Sequence, residues 1–454
     1  MRYLAISVLF TISYIVTVAQ ESNDSTNFAP TDYPDRIMMT IPGNPATSRA
    51  ISWRTVYGNS ISIGEIAPTD PDSKLEGKAK KTEGTFAPWE EGSTLAMGHK
   101  VVFENLQPET KYVYRVGDGE HWSEWIQFET SSNKAEKFSF LYFGDIQNDV
   151  KSYGSRVLRQ AYSDFPKTDF LLFVGDIVSK SNESYWREFF YAGGWMLSMV
   201  PSIATPGNHE YDSHSDRPRT FSKHWNQIYT MPDNSPSKEY NNRFYYVDYQ
   251  GVRIVSVDGS ALQTNVNDTS MLLNWLDKTL QENPSRWSIV ITHIPMYSCS
   301  YGRKDQKYQE MLRPVIEKNG VDLVLQGHDH AYCRGQNLAA TGNGCKNPPM
   351  YVVSMAGPKM YALDPNLWSD RAATRTQLYQ NITVSNDTLN YESYTVAGEL
   401  YDKFMLVKRE NGKNRLIEPE ELSAIPLRME IPNGYEKRYT EAELEKYKEK
   451  MNSK

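Results

Sequence analysis

Five short segments hold residues able to grip a metal cation: Gly144-Asp145-Ile146-Gln147, Gly175-Asp176, Gly207-Asn208-His209-Glu210, Thr292-His293 and Gly327-His328-Asp329-His330. Of the eight histidines in the chain, four fall within these segments, next to Asp145, Asp176 and Asn208. Carboxylate, amide and imidazole donors without cysteine suit hard or borderline ions such as Mn, Fe or Zn, whereas a soft site would use thiolates. Four segments directly follow an apolar, strand-like run, and the Asn208 segment follows the shorter "PSIAT". Side chains just past the C-terminal ends of strands in an open α/β sheet face the crevice where ligands bind, so the five segments are expected to converge. Their glycines allow the sharp turns and close backbone approach that such a site needs.

The elements that must position these residues begin near residue 138. "FSFLYFGD", "TDFLLFVGD", "WSIVITHIP" and "VDLVLQGHDH" are continuous apolar runs, as in strands buried on both faces. Helix-like stretches lie between the runs, at 151–163, 186–199, 270–281 and 305–318, which predicts a layered α/β domain over 135–411. Residues 35–131 read differently. "RAISWRT", "HKVVFENL" and "KYVYRVGDG" are short, rich in β-branched and aromatic residues and separated by turns, the pattern of an all-β sandwich. Residues 412–454 are charged, and we read them as a peripheral tail ending in a solvated helix with Thr440 as its N-cap.

The order GDx, GDxx, GNHE, H, GHxH across residues 144–330 resembles the calcineurin-like metallophosphoesterases. With a β-sandwich in front, the chain is similar to the purple acid phosphatase branch of that superfamily, and "LQPETKYVYRV" resembles the tyrosine-corner segment of fibronectin type III domains, anchored by Leu106 and Tyr112. The resemblance implies a four-layer catalytic domain with two metal ions. Asp145 and His330 would bind the first ion, Asn208, His293 and His328 the second, and Asp176 would bridge them. His209 would face the substrate, stabilising the phosphoryl group or protonating the leaving group. The implied reaction is hydrolysis of phosphomonoesters by in-line attack of a metal-bound hydroxide. Alternatives are phosphodiester hydrolysis at the same site and a catalytically weak binding protein that works through its β domain.

Two departures matter. The purple enzymes carry a metal-binding tyrosine three residues after the bridging aspartate, where this chain has Ser179. No tyrosinate-to-iron absorption is then expected, and Gln147, through its carbonyl oxygen, is the candidate to complete the first metal site. Plant-type members also place a pair of histidines after the fourth motif, but after its own His293 "HIPMYSCSYGRKDQ" has none and offers Tyr297, Tyr301, Arg303 and Lys304, with Arg303 or Lys304 as the candidate phosphate contact.

Composition bounds the rest. At 454 residues the chain is long enough for two or three domains. A net charge of −7 argues against nucleic acid, so the expected partner is a small phosphorylated substrate. Residues 1–19, one arginine followed by an apolar run, read as a signal peptide, and 20–34 as a flexible start of the mature chain; the competing reading is an uncleaved anchor. Cleavage would leave no stable membrane span and an exported protein, periplasmic or extracellular. Export permits disulfides, and of the three cysteines we expect Cys333 with Cys345, with Cys299–Cys333 as the rival pairing.

Overall fold

The computed structural model describes residues 29–452 apart from 92–93, 213–218, 266, 305, 343–344 and 346. The signal-peptide segment lies outside the described residues. Among those residues no helix is long and apolar enough to cross a membrane.

The N-terminal β domain packs the sheet of Lys80–Glu83, Ile63–Pro68, Lys111–Gly117 and Ile126–Glu129 against Asp35–Thr40, Arg49–Val56, Thr94–Phe103 and Thr85–Glu91. Met39, Ile51, Trp53, Val101, Phe103, Tyr114 and Phe128 form its core. The expected tyrosine corner is present: Gln107 N–H donates to the Tyr112 hydroxyl at 2.8 Å, and Leu106 is buried beside it. His99 is buried between Thr55 and Ser62 and stacked on Trp53, so it serves packing.

The α/β domain stacks two sheets. One runs Asn414–Ile417, Leu400–Lys408, Thr388–Thr395, Leu378–Val384, Phe138–Phe143, Phe170–Val174, Ser202–Thr205, and the other has seven strands around Val252–Val257, Trp287–Thr292 and Leu323–Gln326. Phe140, Leu172, Ile289 and Leu325 share one core between the sheets, where burial of both strand faces explains the unbroken apolar runs. Helices Ser155–Asp164 and Glu183–Gly193 cover the first sheet. Helices Thr269–Gln281 and Gln306–Asn319 pack on Val255, Val290 and Val324 of the second, which completes four layers. The predicted helices are present with shifted ends: Ser155–Asp164 is preceded by a wide turn, Val150–Gly154, and the expected 186–199 helix divides at Gly194 into Glu183–Gly193 and Met196–Met199.

The large sheet is continuous across the domain boundary: Thr40 pairs in parallel with Ser202, so four sandwich strands continue it into eleven strands. Two expectations need correction. Residues 412–454 are not a peripheral tail. Asn414–Ile417 is an edge strand of that sheet, and Tyr439 and Tyr447 are buried against Cys299, Cys333 and Leu363. The helix Glu441–Asn452 is held by Tyr447 while most of its described side chains are exposed, and Thr440 and Glu443 form the expected N-terminal cap, with Glu443 N–H on Thr440 Oγ1 at 3.3 Å and Thr440 N–H on Glu443 Oε2 at 2.8 Å. The cysteines also differ. Cys333 lies buried beside Cys299, while Cys345 stands apart near Glu317, and all three are free thiols.

Candidate metal centre

Each expected donor follows the end of a strand. Asp145, Asp176 and Asn208 come after Phe138–Phe143, Phe170–Val174 and Ser202–Thr205 of the large sheet; His293, His328 and His330 come after Trp287–Thr292 and Leu323–Gln326 of the other. The two sheet edges therefore meet at one place. The donor atoms of Asp176, His293 and His328 lie within 4.8 Å of one another, as do those of Asp145, Asp176 and His330. Asp176 belongs to both groups.

The backbone is bent to make this possible. Asp145, Asp176, His328 and His330 have φ of 41°, 47°, 74° and 45°, the left-handed region that costs a non-glycine residue about 1 kcal/mol or more. Four of the seven expected ligands are so placed, which marks the turns as held for their side chains. A Cβ at Gly207 would overlap Asp176 Oδ1, and one at Gly327 would overlap Asp145 Oδ2, so those positions admit no side chain.

Backbone carbonyls fix the imidazoles. His293 Nδ1 faces the Val174 carbonyl at 2.8 Å, which turns Nε2 toward Asp176 Oδ2 at 3.2 Å and His328 Nδ1 at 3.2 Å. His330 Nδ1 faces the Lys359 carbonyl at 3.0 Å and leaves Nε2 3.6 Å from Asp145 Oδ1. An N–H given to a carbonyl sets the tautomer and leaves the other nitrogen as the donor to a metal. His209 is arranged likewise, with Nδ1 2.5 Å from the Ser179 carbonyl and Nε2 3.8 Å from Asp176 Oδ2. Its side chain is 33 % exposed whereas those of Asp176 and His293 are buried, so His209 is open to an incoming molecule.

The electrostatics are those of a cation site. Burial and the charge of Asp176 push Asp145 well above the carboxylate range. Against burial, His293 and its neighbours hold Asp176 below that range. Also against burial, Asp176 and Asp145 push His293 up to about 10. Burial and Lys359 press His330 down to about 3. Two carboxylates and three imidazoles thus share too little positive charge. Asp145 Oδ1, Gln147 Oε1 and Asn208 Oδ1 are buried without a hydrogen-bond partner. Buried oxygens are nearly always paired, and orphaned ones beside a set of convergent donors fit metal ions.

Sequence reasoning gave Ser179 and Glu210 no positive role. The Ser179 hydroxyl accepts the Asn148 N–H at 2.9 Å and its carbonyl orients His209, so the residue holds two loops of the site. Glu210 is buried and accepts N–H groups from Gly207 at 2.7 Å, Asp176 at 2.8 Å and Ile177 at 2.9 Å, which ties the Asn208 and Asp176 loops together. Its position at the end of GNHE was the available signal. Gln147 reaches the first donor group, with Nε2 2.9 Å from Asp176 Oδ2 and 3.1 Å from His330 Nε2. The amide nitrogen, not the expected oxygen, faces the donors here, because a bare carboxylate draws the N–H2; a half-turn of the amide exchanges the two atoms. Arg303 caps the fifth segment, donating to the His328 carbonyl at 3.0 Å and lying 3.6 Å from Asp329 Oδ1.

A four-layer α/β domain with this donor order is a metallophosphoesterase domain. Residues 138–332 match the calcineurin-like phosphoesterase family and residues 34–130 match the purple acid phosphatase N-terminal domain; the chain thus joins a purple acid phosphatase N-terminal domain to a calcineurin-like phosphoesterase domain and is a hydrolase of phosphoester bonds. It is 26% identical over 381 residues to purple acid phosphatase 21 of Arabidopsis thaliana, covering 78% of this chain and 81% of that one. It is 25% identical to Fe(3+)-Zn(2+) purple acid phosphatase 12 of the same plant, over 73% of this chain and 75% of the relative. The fold is similar to that of purple acid phosphatase PPD1 from yellow lupin, with a TM-score of 0.69, 18% identity and coverage of 84% of this chain and 75% of that one.

Proposed function

We propose that the chain is an exported phosphatase that hydrolyses phosphomonoesters at two metal ions, the first held by Asp145, Gln147 and His330, the second by Asn208, His293 and His328, with Asp176 shared. The observation that carries this reading is the pair of donor groups meeting at Asp176, flanked by buried oxygens that have no partner. Bound ions would supply an acidified water and a positive clamp for phosphoryl oxygens. The chain's own part is positioning. The backbone N–H of His209 holds Asp176 Oδ1 at 2.8 Å, and Glu210 fixes the turn beneath. With Nδ1 turned to Ser179, His209 Nε2 is the atom that meets the phosphoryl group or passes a proton to the leaving oxygen. Ser179 brings no phenolate, which supports Fe, Mn or Zn without the purple chromophore. Export is supported by the apolar run near the N-terminus.

The purified chain is expected to hydrolyse p-nitrophenyl phosphate faster than bis(p-nitrophenyl) phosphate, to lose this activity on chelation and to regain it with Fe, Mn or Zn. Faster cleavage of the diester would favour a phosphodiesterase, and activity that survives removal of metal would overturn the reading.

A further inference from the structure

Asp329 stands between His328 and His330 and joins neither donor group. It follows strand Leu323–Gln326 and is fully buried, and the histidines on either side of it, with φ of 74° and 45°, make a turn that something must hold. Its carboxylate reaches the loop that follows His293: Oδ2 accepts the Ser298 hydroxyl at 2.7 Å, the Cys299 N–H at 2.6 Å and the Ser300 N–H at 3.2 Å. The Ser300 hydroxyl in turn donates to the Asp329 carbonyl. Oδ1 accepts no hydrogen bond and faces the Arg303 guanidinium at 3.6 Å.

The same two stretches of chain are tied twice more, ahead of Asp329. Gln326 Oε1 accepts the Met296 N–H at 2.6 Å, and the His293 carbonyl accepts the Gly327 N–H at 3.1 Å. These ties fix the start of the fifth segment, and Asp329 fastens its far end. The fastening matters because the two stretches supply ligands jointly: His293 Nε2 stands 3.2 Å from His328 Nδ1 in one donor group, while His330 belongs to the other. A slip of the turn would open both groups.

A position that only had to be filled would be served better by an apolar side chain, since a buried carboxylate carries a desolvation cost that leucine, of similar size, does not. What leucine lacks is an acceptor. Two peptide N–H groups and a hydroxyl would then be buried without a partner, or the loop would move to find one.

We infer that Asp329 is a positioning residue for both metal ions: it fastens the turn of His328 and His330 to the loop after His293 and so sets the spacing of three imidazoles. This rests on the two-metal reading above and adds a residue that acts on the ions through its neighbours.

The test measures metal affinity of the full chain by competition with a chelator, with Mn and Zn as the ions added, and thermal melting of the metal-free protein alongside. Asp329→Leu is expected to weaken binding of both ions about tenfold or more. Asp329→Asn, whose oxygen can take the same three donors, is expected to stay within about twofold of wild type, and Ser298→Ala, which removes one donor, to lose about threefold. A merely structural residue would lower the melting temperature and leave the affinities alone. Wild-type affinity in Asp329→Leu, or in Ser298→Ala should the leucine variant not fold, would overturn the inference while the two-metal reading stands, as would an asparagine variant as weak as the leucine one. A wild type that takes up neither ion would overturn the two-metal reading, and the inference with it.

Discussion

Asp176→Asn is expected to lower kcat/KM for p-nitrophenyl phosphate by about 10³-fold or more, with the fold retained by circular dichroism. Asp176 is the residue common to both donor groups, so on the proposed two-metal reading its loss would weaken the hold on both ions at once. Metal-derived stabilisation of the transition state is worth several kcal/mol, which sets the size of the effect. Asparagine keeps the shape and leaves one oxygen for the His209 N–H, now bonded at 2.8 Å, so the loss reports on charge and bridging. Steady-state kinetics decides the matter: a fall of less than tenfold would mean that Asp176 does not join the two sites.

The second large effect is on stability. Arg334 and Asp402, on strands of opposite sheets, are both fully buried and joined by two hydrogen bonds, Nε to Oδ2 at 2.8 Å and Nη2 to Oδ1 at 2.9 Å. Asp402 also accepts the Tyr332 hydroxyl at 2.6 Å and the Lys403 N–H at 2.8 Å. Asp402→Ala would leave Arg334 to half-exposed carboxylates at the edge, Glu418 and Asp370, and would take from the buried Tyr332 hydroxyl the acceptor of its proton, leaving it only the O–H that Tyr391 donates at 3.2 Å. Breaking a buried pair from one side costs about 3–5 kcal/mol. We expect a loss of about that size in urea unfolding, while Asp402→Ala and Arg334→Met together lose less than Asp402→Ala alone. A single replacement within about 1 kcal/mol of wild type would show that the pair does not fasten the sheets.

Much of the site was legible because its chemistry is written in short segments that end strands. Asp145, Asp176, Asn208, His293, His328 and His330 could be ordered from donor type and the preceding apolar runs, and the structure gathers them at one edge. What escaped was set by distance in sequence. Lys359 and Tyr361 sit in a loop with no recognisable pattern, and only packing on His330 shows their place. Ser179 could be read from the sequence only as a missing ligand; its carbonyl, which carries no side-chain signal, is what orients His209. The continuous eleven-stranded sheet was hidden for a similar reason, since a single parallel register between Thr40 and Ser202 leaves no trace in composition. The charged C-terminal stretch misled because its buried tyrosines are spaced among lysines and glutamates.

The central claim is that two metal ions are held around Asp176. Elemental analysis of the purified chain measures it most directly. The account predicts two ions of Fe, Mn or Zn per chain, removed together with phosphatase activity by chelation. A chain that is fully active with one ion, or with none, would contradict it.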